Sequence, residues 1–340
     1  MSVHEATAVF PRQRLISLES AQEWRATLAP LPHTFAHTWD HCYAMQLSSG
    51  LPTHLYSVET GTASYVCPIA ERIFDGAVDV VTPYGFSGFT GDGGDGGGDE
   101  LPGLWRAFAR ERGYVAGFLM QSPVLGPSPY ALAGEAYSHK HVFVLDLTLP
   151  VEELHVRLHE NRRRQLRGWS DIAAELVVDE ADVVQFLLDN YQDFFRLRNA
   201  ASVYNFAPES LSFLAGLDNV VLIGATDGGR IQAASMFGYT ATGADYLFNV
   251  STQEGRRHSA SLIWCAVHFL QSLGVPLLNL GGGVTEGDGI AGFKQRFGAA
   301  RLPLTYLKQV YDQDTYARLC ATVGADPGDR AGYFPAYRRR

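Results

Sequence analysis

The chain has 340 residues, 46% of them apolar and 19% charged, with a formal net charge of −9. That composition belongs to a soluble globular protein with ample core, and the length favours two domains over one. The acidic balance argues against a molecule coated in basic surface, although a local patch is enough to hold phosphates. Cys42, Cys67, Cys265 and Cys320 stand far apart with no C-x-x-C pair, which predicts a reduced chain with buried thiols and neither a disulfide framework nor a zinc knuckle. The start lacks the basic and apolar regions of a signal peptide and no apolar run reaches membrane-spanning length, so a cytoplasmic location is expected.

In chain order, Ser20 with Glu23 carries the signature of a capping box, and 38–47 reads as a second short helix. Residues 54–58 and 63–70 alternate or run apolar around Thr60-Gly61, a hairpin signal, and 78–81 adds a strand. A glycine-rich segment at 84–98 leads to a helix at 101–112; Gly113 ends it, and 114–120 reads as a strand. A helix is expected from Thr148 and Pro150 through Trp169, another at 182–197 with Val183, Phe186, Leu187, Tyr191 and Phe194 at helical spacing, and a third at 208–217. Strands at 220–225 and 231–239 then flank Asp227-Gly228-Gly229, and 245–250 adds another. A polar turn at 251–258 precedes a helix at 259–273, Gly274 ends it, and 276–280 reads as a buried strand. Hairpin, strand, loop, helix, glycine, strand thus occurs twice, at an offset of roughly 160 residues, about one domain. A strand at 303–311 and a helix at 314–323 follow, and 326–332 with 338–340 reads as a loose tail.

Several motifs bear on chemistry. Gly91, Gly93 and Gly96 formally make G-x-G-x-x-G, but Asp92, Asp95 and Asp99 among them would repel a pyrophosphate, so a surface loop is expected. His37 and His41 sit four apart beside Asp40 and Cys42 without a third ligand, and no metal is expected there; His139 and His141 are weaker still. No nucleophile elbow, phosphate-binding loop or kinase signature is present. Lysine occurs only at 140, 294 and 308, and every other one of the 27 basic residues is arginine. Lys294 lies at the end of the glycine-rich stretch 279–298, where a compact ammonium can stabilise a developing oxyanion. Asn161-Arg162-Arg163-Arg164-Gln165-Leu166-Arg167 is the strongest basic cluster and suits phosphates, or simply a solvated helix face. Arg256-Arg257-His258 precedes a helix N-terminus, a natural anion site, yet only Gly255 stands before it. Arg198, Tyr204 and Asn205 crowd the end of the 182–197 helix, near Arg196, and suit an acceptor site or an ordinary helix terminus.

Taken together, Pro83-Tyr84-Gly85-Phe86-Ser87-Gly88, the 161–167 helix, Tyr246-Leu247-Phe248-Asn249, Leu262-Ile263-Trp264, Gly281-Gly282-Gly283 and above all Phe293-Lys294-x-x-Phe297-Gly298 resemble the Fem family of non-ribosomal peptidyltransferases, over roughly residues 35 to 312. The resemblance implies an α/β (α+β) fold of two tandem GNAT-like domains, each a mixed central sheet flanked by helices. It implies a first domain of 1–145 closed by 313–340 and a second of 146–312. No heptad segment long enough for a coiled-coil arm is present. It also implies an aminoacyl-tRNA-dependent aminoacyltransferase moving an amino acid onto the amine of a cell-wall precursor or small natural product. Lys294 would steady the tetrahedral oxyanion, with Phe293 and Phe297 shaping its pocket. Tyr84, Arg198 and Tyr204 would serve the acceptor, and Arg162, Arg163, Arg164 and Arg167 the tRNA. An aminoacyl ester is already activated, so no cofactor, ATP or metal is required, and a free α-amine with a pKa near ~8 needs little help to deprotonate. The alternative is an acyl-CoA-dependent N-acyltransferase of the GNAT type, with 255–259 on the pyrophosphate. A non-catalytic binder of peptides on the same fold is the third reading. The amino acid, the acceptor, the general base and the oligomeric state are not specified by the sequence.

Overall fold

The computed structural model describes residues 11–93, 99–198, 201, 204–283 and 287–339. It divides into two compact units: Met1–Cys42, Leu51–Tyr137 and Thr305–Arg340 form the first, Tyr43–Gly50 and Ser138–Leu304 the second.

In the first unit, strands Arg12–Ser17, Thr53–Glu59, Ser64–Phe74 and Ala77–Val81 pair in sequence order, each antiparallel to the next. The helix Leu101–Glu111 then crosses over so that Tyr114–Met120 pairs parallel to Ala77–Val81. Tyr306–Val310 closes the set, antiparallel to Tyr114–Met120. The helix buries Leu101, Trp105 and Ala109 on one side, the i, i+4, i+8 spacing of an amphipathic face. Trp105 packs with Tyr56, Phe89, Tyr130 and Tyr311 in an aromatic core. On a second cluster, the helix Gln313–Thr322 sets Tyr316 and Leu319 against Phe334 and Tyr337.

The second unit repeats this plan. Val220–Asp227 and Arg230–Thr240 form a hairpin, Gly243–Ser251 pairs antiparallel to it, the helix Ser259–Ser272 crosses over, and Leu277–Asn279 pairs parallel to Gly243–Ser251. Ala136–Asp146 lies antiparallel beyond Leu277–Asn279, and Leu176–Val178 lies at the other side beside Val220–Asp227. The core gathers Phe237, Leu262, Ile263, Val267 and Leu278 between the sheet and the crossover helix. The parallel ladder is short: Ala244 pairs Leu278 and Asp245 pairs Asn279. Each unit is thus a mixed sheet flanked by helices. No helix among the described residues is long and apolar enough to cross a membrane.

The structure departs from the sequence reading in four places. The single helix expected from 150 to 169 is three short ones, Val151–Arg157, Glu160–Gln165 and Trp169–Ala173. Leu158 and His159 turn extended, the His159 side chain caps the next helix, and Gly168 takes φ 73°, a left-handed conformation that ends it. Ser20 makes no side-chain cap; the capping box belongs to Thr34 and His37. The tail is not loose: Asp79, wholly buried, accepts from Tyr337 Oη at 2.9 Å, Arg338 Nε at 2.6 Å and Arg72 Nε at 2.7 Å. Of the glycine-aspartate run, Thr90–Asp92 is a strand paired with Ser64–Val66, while 94–98 lies outside the described residues.

Candidate active site

The Phe-Lys motif sits on the short helix Gly289–Gln295, in the second unit. Asp288 caps this helix, its carboxylate accepting from Ala291 N at 2.7 Å. Lys294 is partly buried, and its ammonium donates to the Gly282 carbonyl at 2.7 Å. Burial pushes its pKa from 10.5 down to about 8, and nearby Asp288 partly opposes that fall. A lysine so placed is still mainly cationic at neutral pH while poorly hydrated, which strengthens its field. Of the glycine-rich stretch 279–298, residues 284–286 lie outside the described part.

Phe293 and Phe297, on either side of Lys294 in the sequence, meet edge to face, ring centroids 5.4 Å apart. Arg162 lies over both rings, 4.2 Å from Phe293 and 5.1 Å from Phe297, and its Nη2 donates to the Phe293 carbonyl at 3.4 Å. Only 4% of Arg162 is exposed, and burial lowers its pKa to about 10, with Arg296 adding to the fall. Its charge is met by ring faces and neutral oxygens. That placement separates Arg162 from the arginines beside it in sequence and gives it a packing role, in place of the phosphate contact expected from its sequence cluster. The same segment is tied down again where His159 N donates to the Arg296 carbonyl at 2.9 Å. Gly298 has φ 74°, and a Cβ there would lie 2.5 Å from the Arg157 carbonyl, so only glycine fits this junction.

Arg163, Arg164 and Arg167 are exposed and line an open groove with His155, Glu160 and Trp169. Arg163 is partly engaged, donating to the Val156 and Leu158 carbonyls at 2.9 and 2.7 Å. Arg198 stacks on Phe194, 3.4 Å to the ring centroid, and Tyr204 stacks on Phe195 at 6.0 Å, so both gather at the end of the Ala181–Arg196 helix. Tyr84 belongs to the first unit. Its carbonyl accepts from His41 Nε2 at 2.6 Å, and His37 Nε2 reaches the Gly88 carbonyl at 3.1 Å, so the two histidines hold the Pro-Tyr-Gly loop. Burial lowers the pKa of His37 to about 3 and that of His41 to about 4.

Two features escaped the sequence reading. A cavity of about 110 Å³ opens beside the Gly289–Gln295 helix, lined by Lys140, His141, Arg301, Gln295, Gly283 and Gly287 among others. The second is Asp245, 5% exposed, which accepts from Asn279 Nδ2 at 2.9 Å. Burial raises its carboxyl to about 7, against a smaller lowering by Asn279. The only local signal was a charge inside a strand pattern. The turn offered for a coenzyme A pyrophosphate is a filled 3-10 helix, Glu254–His258. Gly255 N is spent on Thr252 Oγ1 at 2.9 Å, and Arg257 pairs with Asp227.

No protein-family profile matches the sequence, and no curated protein does. Solved structures do match in fold. FemX superposes with a TM-score of 0.66 at 10% identity, covering 90% of this chain and 99% of that one. The C-terminal domain of a lysylphosphatidylglycerol synthetase from Agrobacterium fabrum, described as putative, gives 0.57 at 18% identity, with 92% and 98% covered. L-PGS from Bacillus licheniformis gives 0.57 at 13% identity, with 85% and 91% covered. The chain is therefore an α/β protein of two units that repeat one mixed-sheet plan. More particularly, it has the Fem-like version of that fold.

Proposed function

We propose that this protein is an aminoacyl-tRNA-dependent aminoacyltransferase that forms an amide on the amine of a cell-wall precursor or small natural product. The observation that carries the reading is Lys294: a partly buried ammonium, held by a backbone carbonyl, on a fold shared with FemX and with a protein described as a putative lysylphosphatidylglycerol synthetase. In the reaction the acceptor amine attacks the ester carbonyl carbon, and the carbonyl electrons move onto oxygen. Lys294 meets that oxyanion with its remaining N–H groups. The intermediate collapses by releasing the ribose oxygen of the tRNA, which takes the proton given up by the amine. Lys140 and Arg301 in the lining of the cavity suit a phosphate-bearing donor, and Arg163, Arg164 and Arg167 suit its backbone. Arg198, Tyr204 and Tyr84 are proposed for the acceptor.

The test mixes the pure protein with labelled aminoacyl-tRNAs and a small-molecule extract of the source cells, with and without ribonuclease. Ribonuclease-sensitive transfer of label into a stable amide supports the proposal. Transfer from acyl-CoA in a parallel tube, with none from tRNA, overturns it in favour of the coenzyme A enzyme.

A further inference from the structure

We propose that Asn279 and Asp245 are positioning residues for Lys294, acting through the backbone of Gly281 and Gly282; the inference rests on the catalytic reading of Lys294 above. The hydrogen bonds form an unbroken path. Asn279 Nδ2 donates to Asp245 Oδ1 at 2.9 Å. The other end of the same amide accepts from Gly281 N at 2.9 Å. The next residue, Gly282, presents the carbonyl that receives the Lys294 ammonium at 2.7 Å.

Burial makes this path unusual. Asn279 is 1% exposed and Asp245 5%, in a unit whose core includes Phe237, Ala244 and Leu278 of the same sheet. A carboxylate in that setting is costly, and two apolar side chains would fill the space with less penalty. What the polar pair adds is direction. Asp245 and Asn279 are register partners at the end of the two-rung parallel ladder; past them only the antiparallel side still holds the chain, by Leu280 N to the Phe143 carbonyl at 2.8 Å and Phe143 N to the Gly281 carbonyl at 3.2 Å, before the glycine loop begins. Glycines there offer no side chains to fix the loop. The Asn279 amide, itself oriented by Asp245, anchors the loop's first N–H, and the carbonyl that holds Lys294 is one residue further on. Displacement of a catalytic group by about 1 Å costs on the order of 10²-fold in rate.

Having only three lysines, the chain allows a direct reading. Protein labelled at lysine 13Cε is titrated by NMR, the Lys294 signal being identified by its loss in Lys294→Met. In Asn279→Ala the carbonyl is released and the ammonium is rehydrated, so the Lys294 midpoint is expected to climb from about 8 toward 10.5. Turnover should fall on the order of 10²-fold in kcat with KM little changed. Asp245→Asn keeps an oxygen facing Asn279 and should retain both the midpoint and most of the turnover, whereas Asp245→Leu should lose both. Asn279→Ser, a milder change, is read in the same way and keeps the test open should the alanine variant not fold. A folded Asn279→Ala or Asn279→Ser with the parental midpoint and turnover overturns the inference. Full turnover in Lys294→Ala overturns instead the catalytic reading beneath it, so the two failures are distinct.

Discussion

Replacing Lys294 by methionine should stabilise the protein and sharply reduce its transfer activity. An ammonium that titrates at about 8 where an unhindered lysine titrates at 10.5 is held against its hydration. At about 1.4 kcal/mol per tenfold change in proton affinity, that costs about 3 kcal/mol of folding stability. Methionine fills similar space without the charge but leaves the Gly282 carbonyl without its donor, a loss of about 1–2 kcal/mol. The expected net gain at neutral pH is therefore about 1–2 kcal/mol. Its pH dependence is specific. Below about 8 the lysine is protonated in both states and the whole penalty applies. Between about 8 and 10.5 the unfolded chain binds more protons than the folded one, so the parent protein gains on the variant as pH rises. Above that range the penalty is gone and the missing hydrogen bond leaves the variant the weaker of the two. Urea denaturation of both proteins at pH 7 and near pH 11 should show the order of stabilities cross, while turnover at pH 7 falls on the order of 10²- to 10³-fold. A variant less stable than the parent at pH 7, with no crossing, would refute the desolvation argument.

Three further outcomes are expected. Asp79→Ala strips the carboxylate from between Arg72 and Arg338, whose side chains are only 18% and 17% exposed, and should cost about 3–5 kcal/mol in a denaturation experiment; a loss under about 1 kcal/mol would mean the tail is not clamped there. His37 and His41 titrate near 3 and 4 in the folded chain against 6.5 unfolded, so the unfolded state takes up protons first as pH falls. The contribution of these two histidines is full above pH 6.5 and should drain away down to pH 3–4, a slope that melting curves of His41→Gln would show reduced. Arg164→Glu with Arg167→Glu should weaken binding of charged tRNA and flatten its salt dependence by about two counterions; an unchanged slope would remove the groove from the donor site.

How far the sequence carries can be argued from particular elements. Both hairpins, both crossover helices and the strands they lead to are local facts, written by turn residues and by apolar periods of two or 3.6, and so the repeated plan was visible without coordinates. Phe293-Lys294-x-x-Phe297 was legible too, because scarcity of lysine and the spacing of a short motif are properties of the chain itself. Arg162 was not. Its neighbours Arg163 and Arg164 are chemically identical to it, and only the approach of Phe293, 131 positions away, turned one guanidinium inward and left the others to solvent. The break of the 150–169 helix likewise follows from where its pieces must pack, with His159 tied to Arg296. Asp245 and Asn279 are 34 residues apart and meet only because a crossover helix returns the chain parallel to its earlier strand. The residue types and local periods thus determined which elements form and which cation to watch. Hydration and distant neighbours, which no local window contains, decided the direction each charge faces and the proton affinity it keeps.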